Sequence, residues 1–462
     1  MEHLQETAFS DVRPITSRNI VYIFIVLLSI VFGILNFIVP SHYLAAILIM
    51  AVAAVILFLH PFAGLLVYQF IIIIQPGVIF PSLGLLHLER LMAIFLIISL
   101  IINIRLRRGR LIITDHKLLL FMMFFILSML ITIPVSYWPA QSLENVIEFL
   151  KNFAFILLII NILKTGRRLR IFVWEYLLLI GYMAASSLLA YKTGNVVEAQ
   201  GIIRAHGLAG TDPNTLSATL GLSLPFHFML FRLEKKKYLK ALSVFIVIIT
   251  VYTIILTGSR SGFLGLGTAV ILSWWFLPGR FIRLFLLLTA GFAVIVLMPS
   301  QYQERYASIF SRERDASSQE RIEVWKKGIR MFYDHPFLGV GTGAFGTANA
   351  EDYSEDRKSY LKAHNLYIQA AAELGIVGLA AFFSYVGAML YYIRKYRKYI
   401  VDKFRKKTWS WGLLTAMQIS TLALLVVGMF GHSLYRSNWF FYGALTMAMG
   451  LLLRNNRLEE EV

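Results

Sequence analysis

Residues 364–395, HNLYIQAAAELGIVGLAAFFSYVGAMLYYIRK, begin on a polar His-Asn pair and end on Arg394 and Lys395. Between these ends, residues 366–393 are apolar apart from Glu373 and a few neutral polar residues. A hydrocarbon core of about 30 Å needs about 20 apolar residues per helix, so this run is long enough to cross a bilayer. Similar runs recur along most of the chain, which is 58% hydrophobic and only 15% charged. Lipid offers backbone groups no hydrogen-bond partner, and the pattern therefore specifies an all-α integral membrane protein. Candidate spans fall at about 20–39, 43–59, 62–76, 88–104, 117–134, 143–163, 171–190, 213–231, 239–257, 262–277, 281–298, 366–393, 411–430 and 436–453. That is about 14 transmembrane helices, with 12 or 13 as alternatives because the second and third are short and separated only by His60 and Pro61.

The distance of the first span from the N-terminus and its flanks fit a retained helix rather than a cleaved signal peptide. Cysteine is absent, which excludes disulfides, thiolate catalysis and cysteine-based metal sites. The loops assigned to the cytoplasm hold 28 Lys and Arg, whereas the short loops on the other side hold five: Arg90, Lys192, Arg204, Arg260 and Arg436. By the positive-inside rule both termini face the cytoplasm, which an even number of spans satisfies. The formal charge of +18 resides mainly in these turns. It reads as topology and contact with anionic lipid; no base-stacking motif accompanies it, and no nucleic-acid partner is expected.

Residues 299–364 form the one large extracytoplasmic loop, with ten basic and ten acidic residues. Ile322, Trp325, Ile329 and Phe332 recur at helical spacing, and Asp334, His335 and Pro336 end that helix before the turns of Gly339, Gly341 and Gly343. A short amphipathic helix on the outer membrane surface, followed by a tight loop, is expected. Gly339, Gly341 and Gly343 lack the preceding strand and following Lys-Ser/Thr of a nucleotide loop, so they read as turn residues.

His364 stands where this loop re-enters the membrane, placed to take a proton from a substrate held beside the bilayer. Arg204 lies in a loop with His206, Gly207, Gly210 and Asp212-Pro213-Asn214, and Arg260 lies in the turn Thr257-Gly258-Ser259-Arg260-Ser261-Gly262. A guanidinium grips phosphate bidentately and stays charged. Two of them suffice to neutralise a diphosphate, and the chain holds no Asp-x-Asp pair to hold a divalent cation. Arg321, Asn365 and Arg436, on the same side, complete the candidate set as secondary residues. Glu148 and Lys151, one turn apart within a span, read as an ion pair. Glu175 and His227 read as snorkelling or paired groups, and Glu373 is too far along its helix to touch His364.

Taken in order, His364-Asn365 with the downstream Gly375 and Gly378, the Ser259-Arg260-Ser261-Gly262 turn, Arg204 with Asp212-Pro213-Asn214, and Arg321 with Trp325 leading into His335, Pro336, Gly339 and Gly341 resemble the O-antigen ligase and O-antigen polymerase superfamily. The resemblance is close over about 200–380 and rests elsewhere on hydropathy. It divides the chain into N-terminal transmembrane helices (1–198), an O-antigen ligase-like catalytic region (199–380, including the loop 299–364) and C-terminal transmembrane helices (381–462). It implies metal-independent, inverting glycosyl transfer without a cofactor at the outer face of the bacterial cytoplasmic membrane. The donor would be an undecaprenyl-diphosphate-linked glycan, and the acceptor a lipid A core, a growing polysaccharide or another envelope glycan. His364 would then be the general base, while Arg204 and Arg260 would bind the departing diphosphate. A repeat-unit polymerase of the same superfamily, a lipid-linked glycan transporter or flippase, and a scaffold for envelope assembly remain open. The charges gathered at one face, and the lack of an internal repeat, fit a transporter less well.

Overall fold

The computed structural model describes residues 54–80, 84, 87–106, 111–112, 117–199, 201–276, 298–307, 316–354, 360–405 and 407–458. The spans expected at 20–39, 43–59 and 281–298 lie wholly or largely outside these residues. The backbone divides into two units, Met1–Gly64 and Leu65–Val462, and every candidate site residue lies in the second.

The described chain is built of helices: α1 (Pro61–Ile74), α2 (Pro76–Ile79), α3 (Leu88–Leu106), α4 (Lys117–Leu130), α5 (Pro139–Ile162), α6 (Gly166–Lys192), α7 (Pro213–Leu233), α8 (Lys237–Leu256), α9 (Arg260–Phe276), α10 (Ser300–Ala307), α11 (Ala316–Asp334), α12 (Phe345–Glu351), α13 (Leu366–Phe404), α14 (Trp409–Gly428) and α15 (Asn438–Arg454). The eleven other expected spans each coincide with one of these helices. Seven described segments are long and apolar enough to cross a membrane, and the chain is a multi-pass, all-α membrane protein. A two-stranded antiparallel hairpin, β1 (Val197–Ala199) and β2 (Ile202–Arg204), pairs Val197 with Arg204.

Helix α14 is the most buried of the spanning helices and packs on α7, where Ser420 Oγ donates to the Leu222 carbonyl at 2.8 Å. Around this pair, α9, α13 and α15 complete the packing. Glycine permits the closest approaches: a Cβ on Gly262 of α9 would sit 2.1 Å from Ser217 Oγ of α7.

Two parts of the loop expectation hold, and one is corrected. Helix α11 ends at Asp334 as expected, and Gly339, Gly341 and Gly343 have φ of 68°, 104° and 74°, a turn region that L side chains avoid. The buried stripe of α11, however, is Val324, Gly328 and Met331, while Ile329 is 48% exposed. Val324 and Met331 join Val340, Phe345, Ala348, Ala363 and Ala372 in one apolar cluster.

Helix α13 breaks at Gly375 (φ 60°, ψ −163°). The glycine loop supplies the partners that the break leaves open: Val340 N donates to Ala372 O (2.8 Å), Gly341 N to Glu373 O (3.0 Å), and Ile376 N to Pro336 O (2.8 Å). Residues 366–374, expected to enter lipid, instead pack among protein groups, with Leu366, Ala370, Ala372 and Leu374 fully buried. Apolar character alone does not distinguish a lipid-facing segment from one that packs against a folded loop.

Glu148 and Lys151 form the expected ion pair. His227 pairs with a hydroxyl, Nδ1 lying 3.1 Å from Ser243 Oγ. Glu175 departs from expectation, since its Oε2 is buried without a hydrogen-bond partner among the described residues.

Candidate functional site

Three helices begin at the site, each capped by a side chain. Asp212 accepts from the Asn214 and Thr215 amides (2.9 and 3.2 Å) at the start of α7. Ser259 Oγ accepts from Gly262 N (3.2 Å) at the start of α9. Asn365 Oδ1 accepts from Tyr367 and Ile368 N (2.9 and 3.2 Å) at the start of α13. Caps of this kind stabilise by about 1 kcal/mol, and helix N-termini favour negative charge. This gives Asn365, a secondary candidate from sequence, a structural function.

The two arginine motifs meet at Asn214. Arg204, 5% exposed at the end of β2, donates through Nε to Thr257 O (2.6 Å) and through NH2 to Asn214 Oδ1 (3.0 Å). Ser259 Oγ donates to the same Asn214 oxygen at 2.8 Å. Two of the five guanidinium donors of Arg204 are thus committed to positioning it. Arg260, the first residue of α9, lies near enough for its charge to be felt at Arg204. Helix α10 braces this turn: Tyr302 OH donates to Ile203 O at 2.7 Å, and Arg305 Nε to Gly258 O at 3.3 Å. Gly258 has φ 57°, where a side chain would be strained, and a Cβ there would crowd Ile202 Cδ1 at 2.5 Å. Burial lowers the Arg204 pKa, while Tyr306 and Asp212 oppose that shift.

His364 adopts a left-handed φ of 47°, rare for a residue with a Cβ. Trp325 of α11 fixes the preceding residue by donating from Nε1 to Ala363 O at 2.8 Å. The imidazole meets a second one that sequence reasoning missed. His364 Nε2 lies 3.3 Å from His432 Nε2, with ring centroids 3.9 Å apart and planes 44° from parallel. Burial, then the Arg321 charge, push the His364 pKa down to about 4, with Asp212 opposing and Lys362 adding. Burial, then His364 itself, push His432 down to about 3. The available signal for His432 was its place in the short α14–α15 loop, four residues before the candidate Arg436.

Arg436 Nε donates to His432 O at 3.4 Å. Burial lowers its pKa, and Asp212 opposes. Burial tends to raise the Asp212 pKa, but its hydrogen bonds from Thr215 and Asn214 and the Arg436 charge hold it below the usual carboxylate range. Asp212 is felt at Arg204, Arg436, His364 and His432. Its charge therefore acts on both the arginine turn and the histidine pair. Arg321, a secondary candidate, is felt at both histidines.

Glu373 does not touch His364; it is a buried tie between loops. Its carboxylate accepts from Gly343 N at 2.9 Å, from Gln369 Nε2 at 3.1 Å and from the Tyr435 hydroxyl. The loop carrying His432 and Arg436 is thereby fastened to the glycine turn. Among the described residues no group of three or more His, Asp or Glu side chains is arranged to hold a metal.

The fold and the site together define a helical membrane protein in which short loops bring arginine side chains and a half-buried histidine pair together. Residues 245–383 match a family model described as O-antigen ligase, which bears out the resemblance to the O-antigen ligase and polymerase superfamily. The chain is 25% identical over 264 residues to the teichuronic acid biosynthesis protein TuaE of Bacillus subtilis (strain 168), covering 54% of this chain and 52% of that one. It is 23% identical over 199 residues to an uncharacterized protein of Haemophilus influenzae (strain ATCC 51907 / DSM 11121 / KW20 / Rd), covering 38% and 49%. The chain spans about half the length of the curated relatives it matches.

Proposed function

We propose that this protein is a membrane glycosyltransferase of O-antigen ligase or polymerase type, acting in surface-polysaccharide biosynthesis. It transfers a glycan from undecaprenyl diphosphate to an envelope acceptor at the outer face of the cytoplasmic membrane. The observation that supports this reading is the turn in which Arg204 and Ser259 share Asn214 beside Arg260, together with the half-buried His364 set against His432. Arg204 and Arg260, with the N-termini of α7 and α9, receive the diphosphate. Desolvated guanidiniums gain most from an anionic partner. Neutral His364 takes the proton of the acceptor hydroxyl as its oxygen attacks the anomeric carbon, and the C–O bond to phosphate breaks. The diphosphate leaves as an anion and needs no acid, so one base with charge stabilisation is sufficient. A single displacement inverts the anomeric centre, and the guanidiniums supply the compensating charge that a metal would otherwise bring.

The test is transfer from undecaprenyl-diphosphate-linked glycan by purified protein in lipid. His364→Ala should lower kcat by about 10² to 10⁴ with donor still bound; transfer at near wild-type rate refutes the base assignment. The acceptor separates the two types. In a deletion strain, polymer retained on its lipid carrier marks a ligase, and single repeat units at the surface mark a polymerase.

A further inference from the structure

Helix α11 divides its circumference among three arcs. Val324, Gly328 and Met331 face protein. Glu323, Lys326, Arg330 and Asp334 form an exposed charged arc, paired as Glu323 with Lys326 and Arg330 with Asp334. At about 100° per residue, Ile322, Ile329 and Tyr333 fall on a third arc, about 40° wide, between the other two. Tyr333 is 75% exposed and Phe337, just past the end of α11, is 71% exposed; among the described residues no large apolar side chain is more exposed than these two. Their level in the bilayer follows from α13. After the break at Gly375, residues 376–393 rise about 27 Å at 1.5 Å per residue, which only just spans a hydrocarbon core of about 30 Å. Arg394 and Lys395 close the far end. Ile376, half exposed, therefore stands at the boundary where α13 enters lipid. Pro336 and Phe337 are fastened to that first turn: Ile376 N donates to Pro336 O at 2.8 Å, and Val377 N to Phe337 O at 3.3 Å. An exposed apolar surface thus runs from the spanning half of α13 through Phe337 to Tyr333 and Ile329.

We infer that Ile329, Tyr333 and Phe337 form a lipid-docking surface that seats α11 in the interfacial layer of the leaflet that α13 enters. Aromatic side chains concentrate in that layer, and the tyrosine ring presents an apolar body with a polar tip suited to it. A helix with one apolar and one charged arc lies in the plane of the interface with its apolar arc immersed. In water the same side chains would leave an apolar patch uncovered. A glycan would stack on the rings of Tyr333 and Phe337 alone; the aliphatic Ile329 and Ile376 in the same surface favour lipid. The seat bears on the candidate site through α11 itself. Trp325 Nε1 donates to Ala363 O at 2.8 Å, directly before His364, and Gly328 lies against Ile368 and Phe345. Lipid under α11 thus steadies the turn that carries His364. The docking surface does not depend on His364 acting as a base, so its failure would leave the proposed function standing.

The chain has no cysteine, so a single introduced thiol reports its own depth. Tyr333→Cys, Phe337→Cys and, on the charged arc, Lys326→Cys are spin-labelled in the full chain, reconstituted into liposomes of phosphatidylethanolamine and phosphatidylglycerol. Collision with oxygen, which partitions into lipid, is compared with collision with a water-soluble nickel chelate. Both aromatic positions are mostly exposed, so replacing one leaves the packed arc of α11 and the other aromatic in place. Labels at 333 and 337 should report immersion of about 5 to 10 Å into the headgroup and acyl boundary, and the label at 326 should report water. A second comparison uses an Ile329→Cys label. Tyr333→Asp combined with Phe337→Asp should lift that label into water, whereas Tyr333→Trp combined with Phe337→Trp should keep it immersed. Labels at 333 and 337 with the same nickel access as the label at 326 overturn the inference. Aqueous labels that become shielded only when glycan is added assign the surface to sugar and overturn it equally, as does an Ile329→Cys label that stays immersed in the double Asp variant.

Discussion

A left-handed backbone at a residue with a Cβ costs on the order of 1 to 2 kcal/mol. His364 retains it at φ 47°, directly before a capped helix and beside His432. This turn sets the ring against His432. The pH dependence follows from the shift at His364. Burial and Arg321 place its pKa near 4, below the ordinary 6.5, so the base form is complete well below neutrality. The acid limb of kcat/KM, which reports the free enzyme, should therefore fall near pH 4. A bound diphosphate adds negative charge beside the ring and raises that pKa, so the limb of kcat should lie at higher pH than the limb of kcat/KM. Coincident limbs near 6.5 would show that His364 is solvated, contrary to the structure. His206 is a useful control, because both its ring nitrogens are engaged, by Gly207 O at 2.9 Å and Asn195 Oδ1 at 3.1 Å. At Arg260, Lys retains the charge but loses the planar fork. Arg260→Lys should weaken donor use by roughly tenfold to a hundredfold, or about 1 to 3 kcal/mol. Unchanged kcat/KM in that variant would remove Arg260 from the diphosphate site.

At the scale of elements, the central device is the broken helix α13 and the glycine turn docked on it. A Cβ at Gly339 would lie 2.4 Å from Ala372 O, and one at Gly375 would lie 2.4 Å from both the C and the O of Phe337. Both positions have positive φ. Alanine at either therefore meets backbone on one side and strain on the other. Gly339→Ala should cost more than about 2 kcal/mol and lower the thermal unfolding midpoint. Gly387→Ala, where a new Cβ meets nothing within 4 Å, should leave the midpoint unchanged. Equal midpoints for the two variants would mean that the turn is not docked. The turn residues were legible in the sequence because glycine spacing reports backbone conformation directly. Their docking site was not, since it joins residues more than thirty positions apart through backbone hydrogen bonds that leave no mark on side-chain pattern. The rotated stripe of α11 has a related cause. Ile329 fits an apolar period, but the buried face is set by what packs against it, namely Phe345 and Ile368 around Gly328.

For the whole molecule, hydropathy located the helices because a bilayer imposes length and apolarity on every span, and eleven of the expected spans coincide with described helices. The arginine turn was legible for a different reason: Arg204, Asn214, Ser259 and Arg260 lie in short loops whose caps and turns have local signatures. His432 was missed because its partner is 68 residues away in sequence, and a lone histidine in a loop carries no signature of its own. Sidedness is the remaining global question, and the distribution of basic residues makes it testable. The loops between α6 and α7, α8 and α9, α11 and α13, and α14 and α15 are joined by the hydrogen bonds and charges of the candidate site, so they share one face. The opposite turns hold the Lys and Arg excess that marks a cytoplasmic face. Because the chain has no cysteine, a single introduced thiol reports its own side. Lys326, with its side chain 67% exposed on α11, and Lys236, exposed before α8, are suitable positions. In cells whose outer envelope admits a membrane-impermeant maleimide, Lys326→Cys should be labelled and Lys236→Cys should be labelled only after lysis. The reverse pattern would put His364, Arg204 and Arg260 in the cytoplasm, on the wrong side for an acceptor displayed outside.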